Sequence, residues 1–132
     1  MLEFALVIPI FIFVLYGIIA FGIMLSAKQS LTNAASEGAR AAVGAVPNAG
    51  ETQSAAESRV AKDRVTQALT GQLSGNSSSA VTTATVNPCG TNNCITVTIT
   101  YPYSSKPLIP SAPGLGLVTP NNLTATAVVQ VP

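Results

Sequence analysis

The sequence predicts an α+β fold: a long N-terminal α-helix with an apolar first half, a second helix, then a small antiparallel β-sheet of three or more strands. Three observations carry the prediction. Residues 4–27 contain no charge. Apolar and small residues then recur at helical spacing to about residue 73, and beyond residue 80 the pattern changes to alternation. The composition is equally unusual, with 48% hydrophobic residues and only 8% charged, against about 25% charged in an average soluble domain. Low charge with high hydrophobicity is the reverse of the disorder signature. Six Lys+Arg against five Asp+Glu supply no basic patch for a nucleic acid. The length allows one compact domain at most.

The apolar run FALVIPIFIFVLYGIIAFGIMLSA is 24 residues long. As a helix it spans about 36 Å, enough for a hydrocarbon core of about 30 Å. A cleaved secretory signal would have a basic start and a shorter apolar core, and Glu3 stands where the basic start should be. Two readings remain: a plain membrane anchor, and a helix that lies first in a membrane and later in a protein assembly. Glu3 favours the second. An acid at the end of a greasy helix is costly unless it snorkels or meets a cation, and the α-amino group of Met1, in cis or on a neighbouring chain, is the available cation. Met1 and Glu3 are therefore candidate residues for assembly and register, to which the family resemblance given below adds Phe4, the second residue of the Glu-Phe pair. Pro9 lacks the N–H that would bond the Ala5 carbonyl, which predicts a bend there.

From Lys28 the helix is expected to continue to residue 46. Leu31, Ala34, Ala35, Gly38, Ala41, Ala42 and Ala45 form a stripe of small side chains suited to close approach of a neighbour. Glu37 and Arg40 are spaced to pair on the opposite face. Pro47 and the Asn-Ala-Gly after it stop the helix. A second helix is expected over residues 51–73, with Ala55, Val60, Ala61, Val65, Ala68 and Leu69 on its apolar side. Arg59 and Asp63 form an i,i+4 pair, and Glu57, Lys62 and Arg64 lie on the solvent face. The chain thus divides into a long helix, residues 1–46, and a globular head, residues 47–132.

The Ser-rich residues 74–79 read as a linker. VTTATVN and ITVTITY then alternate in period two, Val and Ile on one side and Thr on the other, and LTATAVVQV is a third strand. NPCGTNNC, residues 87–94, reads as a hairpin loop. Residues 102–122 form a long Pro/Gly-rich connection of the kind that is functional or lies at a subunit contact. Asn76 and Asn122 begin N-glycosylation sequons, a pattern that also arises by chance.

Catalytic constellations are missing from the sequence. There is no His, so abundant Ser and Thr have no imidazole to activate them. The acids sit on the helices without forming an acid/base pair. Cys89 and Cys94 are too few for a metal site and too far apart for a C-x-x-C redox motif. In an exported chain they form a structural disulfide. The expectation is a protein that is not an enzyme and has no cofactor, no metal and no nucleic-acid partner.

Residues 3–22 (EFALVIPIFIFVLYGIIAFG), followed by residues 29–42 (QSLTNAASEGARAA), resemble the N-terminal signature of TadE-like pseudopilins. These belong to the tight-adherence (Tad) pilus branch of the type IV filament superfamily. The ending YPYSSKPLIPSAPGLG…LTATAVVQV is similar to the usual C-terminus of that family. The resemblance implies a prepilin whose basic leader is removed by a prepilin peptidase. The mature chain would pass from the inner membrane, through the pilus assembly machinery, into a helical filament. Glu3 would neutralise the N-terminal amine of an adjacent subunit. That acid is usually fifth in the mature chain and here is third, so either the cleavage distance is unusual or Met1 is not the mature terminus. The expected function is a structural subunit of an extracellular type IV pilus-like filament, a homopolymer held by its apolar helix. The alternatives are a minor pseudopilin that initiates or caps a pilus made of another pilin, and a membrane-tethered adhesin.

Overall fold

A computed structural model describes residues 2–73, 77–108 and 120–131. Helix α1 runs Leu2–Val43 and includes Pro9. It is about 63 Å long at 1.5 Å per residue. The helix stops before residue 46: the Ala45 N–H reaches back to the Ala42 carbonyl at 3.1 Å, a tight last turn of the kind that closes helix ends. Val46, preceding Pro47, is excluded from helical geometry.

Helix α2 is Gln53–Gln72. It begins two residues later than its periodicity suggested because Thr52 is extended and its side chain accepts the Ala55 N–H at 3.4 Å. A Thr in this position satisfies one of the donors that a helix N-terminus leaves open. A short 3-10 turn, Ser77–Ser79, lies within the segment read as a linker. The rest of that segment, Asn76 included, is outside the described residues.

Strands β1 (Val81–Cys89), β2 (Asn92–Tyr101) and β3 (Leu123–Val131) form one antiparallel sheet in the order β1-β2-β3. Residues 87–94 are not a loop. The ladder continues to Cys89 opposite Asn92, leaving Gly90 and Thr91 as the turn. Gly90 has φ +75° and occupies the first central position, where type II′ hairpin turns prefer Gly. Pro88 is tolerated because β1 is an edge strand.

One sheet face carries Ala84, Ile95, Val97, Ile99, Tyr101, Leu123, Ala125 and Val131, all buried. The other carries Thr83, Thr85, Thr96, Thr98, Thr100, Thr124 and Thr126, in which the Thr98 and Thr126 hydroxyls lie 3.4 Å apart. Period-two alternation maps directly onto these faces. The apolar face packs on the second half of α1 and on α2 in a single core.

The α1 stripe is shifted slightly from its expected position. Ala27, Leu31, Ala34, Ala35, Gly38, Ala39, Ala42 and Ala45 are buried, whereas Ala41 is only half-buried. A stripe contacting both α2 and the sheet is wider than one neighbour requires, which brings in Ala39. At Gly38 a Cβ atom would stand 2.9 Å from the Ala61 carbonyl oxygen. The two helices therefore cross closely enough to admit only glycine.

On α2, Ala55 is exposed and Ala56 is buried in its place. Glu57, expected in solvent, is only 2% exposed. Its Oε1 accepts from Gln53 Nε2 at 3.1 Å, and the same amide donates to the Ala45 carbonyl at 3.1 Å. The end of α1 is thus tied to the start of α2, and the buried carboxylate has the partner such a group requires. Arg59 is not paired with Asp63. It makes two hydrogen bonds to Glu51, both 3.1 Å, a bidentate geometry favoured over a single contact. Those bonds, and a further one from the Asn48 N–H, lower the Glu51 pKa. Glu37 and Arg40 form no ion pair.

Candidate functional site

The first half of α1 inverts the usual order of a helix in water. From residue 3 to residue 15 every side chain is exposed. Phe4, Leu6, Val7, Ile10, Phe11, Ile12 and Phe13 are each more than half exposed. No face is polar, so the segment is not an amphipathic helix awaiting one partner. Among the described residues α1 is the one helix long and apolar enough to cross a membrane. A contiguous apolar surface of this extent marks a membrane or protein contact.

Glu3 and Phe4 lie on the first turn of this bare segment, both exposed. Glu3 is its only charge, and the next along the chain is Lys28. Met1, the third candidate for register, is outside the described residues. The other two candidate residues are elsewhere. Cys89 and Cys94 form a disulfide across the β1–β2 hairpin, with Cys94 opposite Asn87 in the ladder, at the end of the Thr-rich face. The structure therefore separates two regions: an apolar rod bearing Glu3 and Phe4, and a polar sheet face closed by the disulfide.

The transition between rod and head has its own construction, which the sequence reading passed over. From Tyr16 onward one side of α1 is covered: Tyr16 is half-buried, Ala20 is buried, and Met24 packs on the core. These residues follow a three-to-four spacing and so share a face. Tyr103, two residues past the end of β2, is 5% exposed. Burial, and secondarily Tyr16, raise the Tyr103 pKa, and burial raises that of Tyr101. The Tyr101 hydroxyl donates to the Lys106 carbonyl at 2.8 Å, and the Lys106 N–H returns to the Pro102 carbonyl at 3.1 Å. The available signal was the Tyr-Pro-Tyr at the end of an alternating strand, which carries Tyr101 inward by parity. The remainder of the Pro/Gly-rich connection, residues 109–119, is outside the described residues.

No curated protein and no solved structure matches the chain. The match to the TadE-like protein family covers residues 1–40 and does not reach the C-terminal stretch that also resembled that family. It spans the bare rod, the covered face from Tyr16 to Met24 and most of the small-residue stripe. Over this N-terminal stretch the chain carries the signature of a TadE-like protein.

Proposed function

We propose that this protein is a structural subunit of an extracellular type IV pilus-like filament, with residues 1–46 as its polymerising helix and residues 47–132 as its head. One observation carries the reading: residues 3–15 are bare on every side. Water is a poor solvent for such a rod, whose burial is worth about 25 cal/mol per Å² of apolar surface. Lipid covers it before assembly, and helices of neighbouring copies cover it afterwards. Within that sheath Glu3 pairs with the amine of an adjacent chain. An unpaired charge in an apolar core is penalised heavily, so the pair sets the register of subunits. The family match supports a Tad pilus setting, with a prepilin peptidase and assembly machinery as transient partners. The role is structural rather than catalytic.

Intact-mass spectrometry of sheared surface fibres, read beside electron micrographs, tests the proposal. The expected dominant species is this chain, lighter by two hydrogens for the disulfide. Fibres built from another protein, with this chain left in the membrane or present in traces, would make it a tethered or minor component. Glu3→Ala should insert normally into membranes yet yield no fibres, and normal fibres from that variant would remove the register role.

A further inference from the structure

The face of the sheet turned away from the helices carries no charge. Four rows of three residues cross its strands, from Val81–Thr100–Thr124 at one end to Asn87–Cys94–Gln130 at the other. About three charges would be expected at twelve average positions, and there is none. Beyond Arg64 the only charged side chain is Lys106, which lies outside the strands. The solvent face of α2 is built in the ordinary way, with Lys62, Asp63 and Arg64 exposed side by side. Neutrality is therefore a property of the sheet and not of the head as a whole.

One row of this face also makes little use of water. A threonine hydroxyl has one hydrogen to donate. That of Thr83 goes to the Thr98 carbonyl at 3.3 Å, and Thr98 and Thr126 share a hydrogen bond across 3.4 Å. Two of the three donors in the row are thus used within the sheet. Val81 and Val128, at 63% and 58% exposed, add bare aliphatic surface. Depletion of charge marks the centre of a protein interface. A face without charge offers nothing to a nucleic acid or to an acidic or basic peptide. What it matches is itself, since each hydroxyl donates or accepts and two neutral faces meet without stranding a charge.

Area decides what kind of contact with a second copy this is. Three strands about 4.8 Å apart and about 30 Å long make a patch of about 400 Å². A stable dimer takes about 800 Å² from each partner, so two free heads do not pair through it. In the filament proposed above, on which this inference rests, α1 lies inside. The apolar sheet face packs on α1 and α2, so the Thr face points away from the fibre axis and recurs at every subunit. Weak contacts repeated along two fibres add up without any one of them being strong. We propose that the Thr face is a lateral contact between fibres of this chain, Thr face against Thr face, which gathers them into bundles.

Sheared fibres shown by mass spectrometry to contain this chain alone are the material for the test. Electron micrographs should show them in bundles. The bundles should persist as salt rises from about 0.01 M to about 1 M, although the Debye length then shrinks from about 30 Å to about 3 Å. Thr126 lies on β3, an edge strand, where charge is well tolerated. Fibres carrying Thr126→Lys or Thr126→Glu should each show an at least fivefold smaller bundled fraction, and the two mixed in low salt should bundle again. Thr66→Glu, on the exposed side of α2, should leave bundling unchanged. A variant that fails to assemble gives no fibres to score, so the salt response of the unaltered fibres stands as an independent readout. Single fibres from the unaltered chain, bundles that disperse in salt, Thr126 variants that bundle normally or stay apart when mixed, or dispersal by Thr66→Glu overturn the lateral contact and leave the filament standing. Absence of fibres built from this chain overturns the filament, and the contact with it.

Discussion

The two halves of α1 are one continuous helix with opposite choices of side chain. The first half holds Phe, Ile, Leu and Val, and these are exposed. From Ala27 on, the buried positions of the second half are Ala and Gly with a single large residue, Leu31. In a protein bathed in water the larger side chains would be inside, because burial free energy grows with apolar area. The inversion shows that the halves serve different surroundings. The first offers area to a non-aqueous environment outside the subunit. The second gives up area so that α2 and the sheet can approach closely, as at Gly38, where a Cβ would meet the Ala61 carbonyl. Small residues contribute little each, and shape rather than bulk holds this half.

If the halves are energetically separate, Leu31→Ala should lower stability by about 2–5 kcal/mol, the usual range for emptying a buried leucine site. Phe11→Ala should stay within about 0.5 kcal/mol, as for surface changes in general, while reducing fibre yield. Chemical denaturation of the full chain in detergent, followed by far-UV circular dichroism, measures both. Equal effects from the two changes would break the distinction.

A sharper version uses glycines. Gly38→Val should cost about 3 kcal/mol, at the upper end for overpacking, because the neighbour is backbone and cannot turn aside. Gly22→Ala meets nothing within 4 Å and should be neutral or slightly stabilising, since alanine is the better helix former. Thermal melts of the two variants side by side would show it.

The disulfide belongs to neither half. Replacing Cys89 and Cys94 with Ser should cost about 2 kcal/mol in the chain-entropy model, with membrane partitioning of the rod unchanged in a vesicle flotation assay. Loss of partitioning would mean that head and rod are coupled.

The smallest effect concerns Glu51, whose pKa is lowered chiefly by Arg59. A depressed carboxyl pKa stabilises the fold above the ordinary value and ceases to do so as pH falls through the depressed one. The urea midpoints of the native chain and Glu51→Gln should therefore differ at pH 6 and converge under acid conditions. A gap that persists in acid would remove the ion pair as its cause.

The legible parts of this protein are those set by neighbours in the chain. The apolar length of α1 and the alternation of three strands follow from helical and strand periods, and proline sterics set a limit at Pro47 that α1 stops short of, at Val43. The same local logic misplaced what depends on distant segments. Arg59 and Asp63 were correctly spaced, yet Arg59 turned to Glu51, where two hydrogen bonds were available. Residues 87–94 have the composition of a loop, but pairing with β2 extended the strand through Pro88 to Cys89.

Sequence alone therefore determined that a greasy rod precedes a small-residue stripe, a second helix and a Thr-faced sheet. Each of these is written in a period of two or 3.6 residues. Only the tertiary structure decided that Glu57 is buried on Gln53, that Gly38 marks the helix crossing and that Tyr103, beyond the end of β2, is buried. Burial is a property of what arrives from elsewhere in the chain, and no local period records it.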